Sequence, residues 1–163
     1  METSMLEKLI LFFVCKSKGY ITKTQLVKFL YLADLYSVKW TKKQLTNLDW
    51  RYYRFGPWSE DIDSCLKDLY TQGVLGEVQN NQAVLIEPRE NCPDVDGLRF
   101  SKGLELMLRN IRKEWIGAKL DDLLAYVYQT EPMLEAKEHH QPEDMAHLNL
   151  FLEHEKIVAE LGV

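Results

Sequence analysis

The sequence predicts a mainly α-helical domain of about six helices, with one short β-hairpin and one extended aromatic segment. Apolar residues recur at helical spacing along most of the chain, while two short apolar runs flank the polar turn at 79–82. A length of 163 residues with 46% hydrophobic residues is typical of one ordinary globular domain. We therefore expect a single domain over residues 1–163.

The first third of the chain predicts two helices, each preceded by a capping box. A Ser or Thr is followed three residues later by Glu or Gln at Ser4-Glu7 and at Thr22-Gln25. Apolar residues then continue at helical spacing, to Lys18-Gly19 in the first helix and to about Tyr36 in the second.

An aromatic segment and a third helix follow. Between Leu48 and Phe55 the residues become aromatic, and in extended backbone Trp50, Tyr52 and Arg54 share one side, which predicts a short strand or extended segment. Gly56-Pro57 is typical of a turn that closes such a strand. Ser59 is a favourable N-cap, the next residues are acidic, and Gly73 is suited to end the helix.

The second half predicts a hairpin, a loop and three more helices. The runs 74–78 and 83–86 form the hairpin, and the proline-containing stretch 88–97 is the loop. The helices are expected after Ser101, after Gly117 with an end at Glu131-Pro132, and from Pro142 to Gly162.

Charge is distributed unevenly along the chain. Residues 1–54 hold ten Lys/Arg and four Asp/Glu, a net +6, whereas residues 55–163 hold ten and twenty-one, a net −11. A basic first third admits an acidic partner or nucleic acid, provided that the folded surface keeps this segregation.

Three helices followed by a hairpin is also the order of a winged-helix fold, in which the helix before the wing enters the DNA major groove. Here that helix, residues 59–72, carries four acidic residues against Lys67, and the hairpin turn has no Lys or Arg. Electrostatics oppose docking on phosphates, so nucleic-acid binding through basic residues is the alternative and not the main hypothesis. Its residues are Lys39, Lys42, Lys43, Arg51 and Arg54.

No pattern indicates catalysis, a cofactor or a strong metal site. We find no nucleophile with a base and no glycine-rich phosphate loop. The histidines are His139, His140, His147 and His154. Glu143 one turn before His147 makes a metal site conceivable, but His147 and His154 are about 10 Å apart along a helix, too far to share one ion.

An aromatic and arginine-rich cluster is the strongest candidate for a binding surface. Its members are Trp50, Tyr52, Arg54, Phe55 and Trp58. Only half of an alternating segment faces inward, and Trp, Tyr and Arg are enriched in binding hot spots. Both a core role and a partner-binding role therefore stay open for this cluster.

Two motifs resemble those of the Panacea domain family, which includes SocA-like and phage-associated GepA-like proteins. They are residues 28–34 (KFLYLAD), with Lys28, Tyr31 and Asp34, and residues 50–59 (WRYYRFGPWS), with Gly56, Pro57 and Ser59. The segment from Tyr128 to Pro132 resembles a third landmark of that family. Phe55 and Trp58 depart from its usual tyrosine and small aliphatic residue.

The resemblance implies an antitoxin that neutralises a toxin protein by direct binding and has no catalytic residues or cofactor. Such proteins are often encoded beside their toxins, in phage-related regions. Three widely spaced cysteines (Cys15, Cys65 and Cys92) and the lack of a signal peptide or membrane anchor are consistent with the cytoplasm.

Overall fold

The computed structural model describes residues 4–162, and this part of the chain contains seven α-helices and two small antiparallel sheets. The helices are α1 (Met5–Lys16), α2 (Lys23–Thr41), α3 (Glu60–Thr71), α4 (Lys102–Trp115), α5 (Leu120–Tyr128), α6 (Glu131–His139) and α7 (Phe151–Leu161). The strands are β1 (Ile21–Thr22), β2 (Arg51–Tyr53), β3 (Gly56–Trp58), β4 (Leu75–Asn80) and β5 (Ala83–Pro88). The fold is mainly α, as the sequence predicts, with seven helices instead of about six.

Helix α2 is the centre of the core. Every residue from 26 to 35 is buried, including the charged Lys28 and Asp34. A helix that is buried on all sides lies inside a domain, and α2 contacts α1, α4, α5, α7 and β3. It runs five residues beyond the predicted end at Tyr36 because Val38 continues its buried face, and it stops at Lys42, which has a left-handed φ of 65°.

The two predicted capping boxes differ from each other in their hydrogen bonds, but each helix starts where the sequence predicts. The Ser4 hydroxyl accepts a hydrogen bond from the Glu7 N–H at 3.1 Å. At the start of α2 the box is complete, since Thr22 and Gln25 each accept a backbone hydrogen bond from the other. Ser59 stands at the N-cap position of α3 without a side-chain capping bond.

The larger sheet has the strand order β1-β5-β4. Strands β4 and β5 form the predicted hairpin, with Asn80 opposite Ala83 and a left-handed Asn81 in the turn. The two-residue strand β1, which the sequence pattern does not indicate, pairs with β5 through Ile21 and Ile86. This sheet packs against α1, α2 and α3.

The aromatic segment folds as a second hairpin, and its turn is not where the sequence places it. Strands β2 and β3 pair with Tyr53 opposite Gly56, so the turn consists of Arg54 and Phe55. Gly56, with a φ of 103°, and Pro57 belong to β3. The predicted turn at Gly56-Pro57 is therefore wrong, because this glycine serves a strand that passes close to α2.

The predicted helix end at Glu131-Pro132 is instead the start of α6. Proline suits the first turn of a helix, whose N–H groups have no partner within the helix. The last helix begins at Phe151 and not near Pro142, because residues 146–148 bond to the aromatic hairpin. The Tyr52 N–H donates to the Ala146 carbonyl, and the Leu148 N–H donates to the Trp50 carbonyl, both at 2.8 Å.

Within residues 4–162, no helix combines the length and the apolar character needed to cross a membrane.

Candidate functional site

The buried carboxylate of Asp34 ties α2 to the segment that leads into β2. Its Oδ1 accepts from the backbone N–H groups of Leu45 (3.0 Å) and Thr46 (2.9 Å). Its Oδ2 accepts from Gln44 Nε2 (3.1 Å), Trp50 Nε1 (2.9 Å) and the Thr46 hydroxyl. Burial raises the pKa of Asp34, and these hydrogen bonds counteract that shift. Five donors around two oxygens fit an ionised carboxylate whose role is to fix the 44–50 segment.

Trp50 and Tyr52 belong to the core. The Trp50 ring packs edge-on against Tyr31, with 5.5 Å between the ring centroids, and its indole nitrogen is bound to Asp34. Tyr52 is also buried. The alternation of β2 turns these two residues inward, so the structure leaves them no surface on which a partner could rest.

The other three residues of the cluster lie at the surface. Phe55 is 69% exposed at the hairpin turn, Arg54 beside it is exposed, and Trp58 is half-buried. Trp58 rests against Tyr53, with 5.7 Å between the ring centroids. We call Arg54, Phe55 and Trp58 the hairpin surface.

The turn that carries Phe55 is held in place from two sides. Strand pairing fixes its two ends, and the Tyr128 hydroxyl on α5 donates to the Arg54 carbonyl at 3.2 Å. An exposed phenylalanine on a fixed turn is prearranged for contact and loses little freedom on binding.

Lys28 lies on α2 behind the same hairpin. Its side chain is almost fully buried, and a Cβ placed on Gly56 would lie 3.4 Å from Lys28 Cε and 3.5 Å from Nζ. Desolvation lowers the pKa of Lys28 to about 8. Gly56 thus allows the hairpin to pass directly over a lysine that burial makes a weaker base.

The motif residues of the sequence therefore converge on one packing unit. Asp34 holds Trp50, Tyr31 packs on Trp50, and Lys28 meets Gly56. The third landmark joins them, since the Tyr31 hydroxyl is hydrogen-bonded to Thr130 Oγ1 at 2.8 Å and Tyr128 holds the hairpin turn. Ser59 and Pro57 are buried at the junction of β3 and α3.

The chain was compared with models of known protein families. A family model described as antitoxin SocA-like, Panacea domain, matches residues 26–132. The chain belongs to the SocA-like Panacea family. The match to the Panacea domain includes all three landmarks and leaves α1 and α7 outside. Searches of curated proteins and of solved structures find no match.

A second surface feature of this Panacea domain is a groove between the end of α2 and α4. Its volume is about 860 Å³, and its walls are largely apolar. The principal apolar and aromatic wall residues are Tyr36, Trp40, Leu104, Leu106, Met107 and Ile111. Trp40 and Leu106 remain 63% and 60% exposed.

The sequence analysis did not identify this groove. Placing the end of α2 near Tyr36 left Trp40 outside any helix, whereas in the structure it lies on the last turns of α2. Leu106 was the available signal, because it stands two residues from both Leu104 and Leu108 and so falls off their helical face. An apolar residue there indicates a second apolar side to α4.

His147, which the sequence makes conceivable as a metal ligand, lies beside a carboxylate. His147 Nδ1 lies 2.7 Å from Asp49 Oδ1, and Glu143 is exposed. In residues 4–162 no three His, Cys, Asp or Glu side chains come together as a metal site.

Cys15 and Cys92 are in contact, with 3.2 Å between their sulfur atoms, and burial raises the pKa of the Cys15 thiol to about 12. Such a thiol is a poor nucleophile.

Proposed function

We propose that this protein is a non-enzymatic antitoxin that neutralises a toxin protein by binding it directly. Its membership in the SocA-like antitoxin family carries the proposal. As the family resemblance implies, we expect the toxin to be encoded beside this protein and the two to meet in the cytoplasm.

We propose the hairpin surface as part of the toxin contact. A large aromatic side chain next to an arginine is the composition of a binding hot spot, and Phe55 is the more exposed of the two aromatic rings. Burying the Phe55 ring is expected to contribute about 1.5–3 kcal/mol to binding.

The charge beside the hairpin surface supports a toxin with basic residues at the contact. A cavity of about 290 Å³ borders Trp58, and its lining includes the carboxylates of Glu60 and Asp61 together with Asp49, which already pairs with Arg51 in the same lining. Glu60 and Asp61 are exposed at the start of α3. A basic group of the toxin would meet these acids while Phe55 packs against an apolar patch.

A growth-rescue assay tests the proposal. The neighbouring growth-inhibiting gene is expressed alone, with the wild-type protein, or with Phe55→Ala or Arg54→Ala. We expect wild type to restore growth and Phe55→Ala to weaken toxin binding about tenfold or more, with reduced rescue. Thermal unfolding of Phe55→Ala should match wild type because the ring is exposed.

The matched control is Phe151→Ala, which removes a partly exposed phenylalanine on α7 that lines a cavity with Lys42 and not with hairpin residues. Rescue by Phe151→Ala should equal wild type. If Phe55→Ala rescues fully and binds with wild-type affinity, the hairpin surface is not the contact. If wild type does not rescue against any neighbouring gene product, the antitoxin proposal itself fails.

The strand topology supports a second candidate, nucleic-acid binding. Apart from the β2–β3 hairpin inserted between α2 and α3, the order α1-β1-α2-α3-β4-β5 with a β1-β5-β4 sheet resembles that of winged-helix domains. The first turn of α3, however, presents Glu60, Asp61 and Asp63, which repel phosphates. Labelled duplex DNA should therefore show no binding between about 50 and 200 mM salt, and steeply salt-dependent binding would favour this second candidate.

A further inference from the structure

The groove between α2 and α4 is long and open. Its α4 wall runs from Ser101 to Glu114, and its α2 wall runs from Tyr36 to Thr41. Thirteen helical steps along α4 correspond to about 20 Å, which is the length of a short helix and not of a compact ligand. The floor and walls are mainly apolar, and Trp40 and Leu106 project at the rim.

One side of this groove is basic. Lys43 lines the groove, and the Lys39 ammonium sits 5.5 Å from the centroid of the Trp40 ring. Lys42, which lies between these two lysines in the chain, lines a neighbouring cavity against α7. None of these three lysines forms an ion pair in the part of the chain that the structure describes. Glu114 is the carboxylate among the lining residues.

We propose that this groove binds an acidic amphipathic helix of a partner protein. The apolar face of that helix packs between Trp40 and Leu106, in the manner of helix-in-groove recognition. Its Asp and Glu residues face Lys39 and Lys43, neither of which has a carboxylate partner within residues 4–162. The surface is separate from the hairpin surface, so the two can engage different parts of one toxin or two proteins.

A designed peptide pair tests the charge and the shape together. The first peptide has about 16 residues, with leucines at i, i+3 and i+7 spacing and glutamates on its other face. The second has the same leucines with lysines in place of the glutamates. Each is titrated into the full-length protein while the amide and indole N–H signals are followed by nuclear magnetic resonance.

We expect the acidic peptide to shift the Trp40 indole signal and the amides of α4. The lysine peptide should bind about tenfold more weakly. Lys43→Glu should weaken the acidic peptide and strengthen the lysine peptide, which separates charge recognition from general stickiness.

Blocking the groove provides the variant test. A Cβ on Gly103, which lines the groove, meets no atom within 4 Å, so the backbone there accepts a side chain and Gly103→Leu places a leucine in the groove. Gly97→Leu is the matched control, because Gly97 also has open space and does not line the groove. Acidic-peptide affinity should fall about tenfold in Gly103→Leu and stay unchanged in Gly97→Leu, with no loss of thermal stability in either.

Four results would overturn this inference. The first is that the acidic peptide shifts neither the Trp40 indole signal nor the amide signals of α4, and the second is that both peptides bind equally well. The third is that Gly103→Leu binds the acidic peptide with unchanged affinity. The fourth is that a second copy of this protein occupies the groove, which light scattering would show as a dimer that Gly103→Leu dissociates. The antitoxin proposal is tested separately, by growth rescue with wild type and Phe55→Ala. The groove proposal and the antitoxin proposal can therefore fail independently.

Discussion

Burying the Lys28 ammonium lowers the stability of the fold. Its pKa of about 8 lies below the ordinary lysine value of 10.5, because burial disfavours the ammonium. Below pH 8 the lysine is charged in both states, and the folded state bears the full cost of burying the charge. Between pH 8 and 10.5 the unfolded chain binds more protons than the folded chain. The cost of burying the Lys28 charge therefore falls, and the protein becomes more stable, as pH rises.

We expect Lys28→Met to unfold at higher denaturant than wild type at pH 7, by about 2–3 kcal/mol in the free energy of unfolding. The difference should shrink as pH rises from about 8 to 10.5. Urea unfolding of both proteins across this range measures it, and contributions of the other titrating groups cancel in the difference. A destabilisation of Lys28→Met that is largest at pH 7 and fades as pH rises would contradict this account, because it would show that the ammonium makes a favourable contact.

Asp34 is expected to be the opposite case, a buried charge that the fold requires. In Asp34→Asn one oxygen becomes an NH₂ group that faces donors, so hydrogen bonds from the 44–50 segment are lost. We predict a loss of about 3 kcal/mol in the free energy of unfolding. Asp49→Asn, at an exposed carboxylate that pairs with Arg51 and His147, should cost under about 1 kcal/mol. Equal losses in chemical denaturation would contradict the role of Asp34.

At the scale of elements, two glycines should respond in opposite directions to alanine. Gly56 in β3 has a φ of 103°, and a Cβ there would lie 3.4 Å from Lys28 Cε, so Gly56→Ala should destabilise the fold by more than about 1 kcal/mol. Gly103 has helical backbone and open space, so Gly103→Ala should stabilise it by about 0.4–1 kcal/mol. Thermal unfolding of both variants checks this, and a change of the same sign in both would contradict the assignment.

Local signals account for most of the elements that the sequence predicts. The capping boxes at Ser4 and Thr22 start α1 and α2, and the asparagines between β4 and β5 support the predicted hairpin. The errors arise where distant contacts decide. Strand β1 exists only through its pairing with β5, and Gly56 is required by its approach to Lys28 and not by a turn.

The candidate site was only partly predictable for the same reason. The cluster at residues 50–58 stands out in the sequence, but its division into core and surface depends on Asp34 and Tyr31, which bind Trp50 from α2. The exposed Phe55 follows from a turn that the sequence places two residues later, at Gly56-Pro57. The α2–α4 groove requires the relative position of two helices that no local pattern specifies.

For the whole molecule, the family motifs act together as a scaffold. The residues at 28–34, 50–59 and 128–132 hold one another, and the family match spans them. The exposed features lie on top of this scaffold, at the hairpin surface and in the groove. We infer that the shared motifs maintain the fold, whereas residues such as Phe55 and Trp40 determine which partner is bound.

The most direct test of the central claim is co-purification with the product of the neighbouring growth-inhibiting gene. Size exclusion with light scattering then gives the mass of the assembly. We predict a stoichiometric complex with wild type and with Phe151→Ala, and a smaller fraction of complex with Phe55→Ala at the same concentrations. Elution of the wild-type protein alone, with the neighbouring product folded and present, would contradict direct neutralisation.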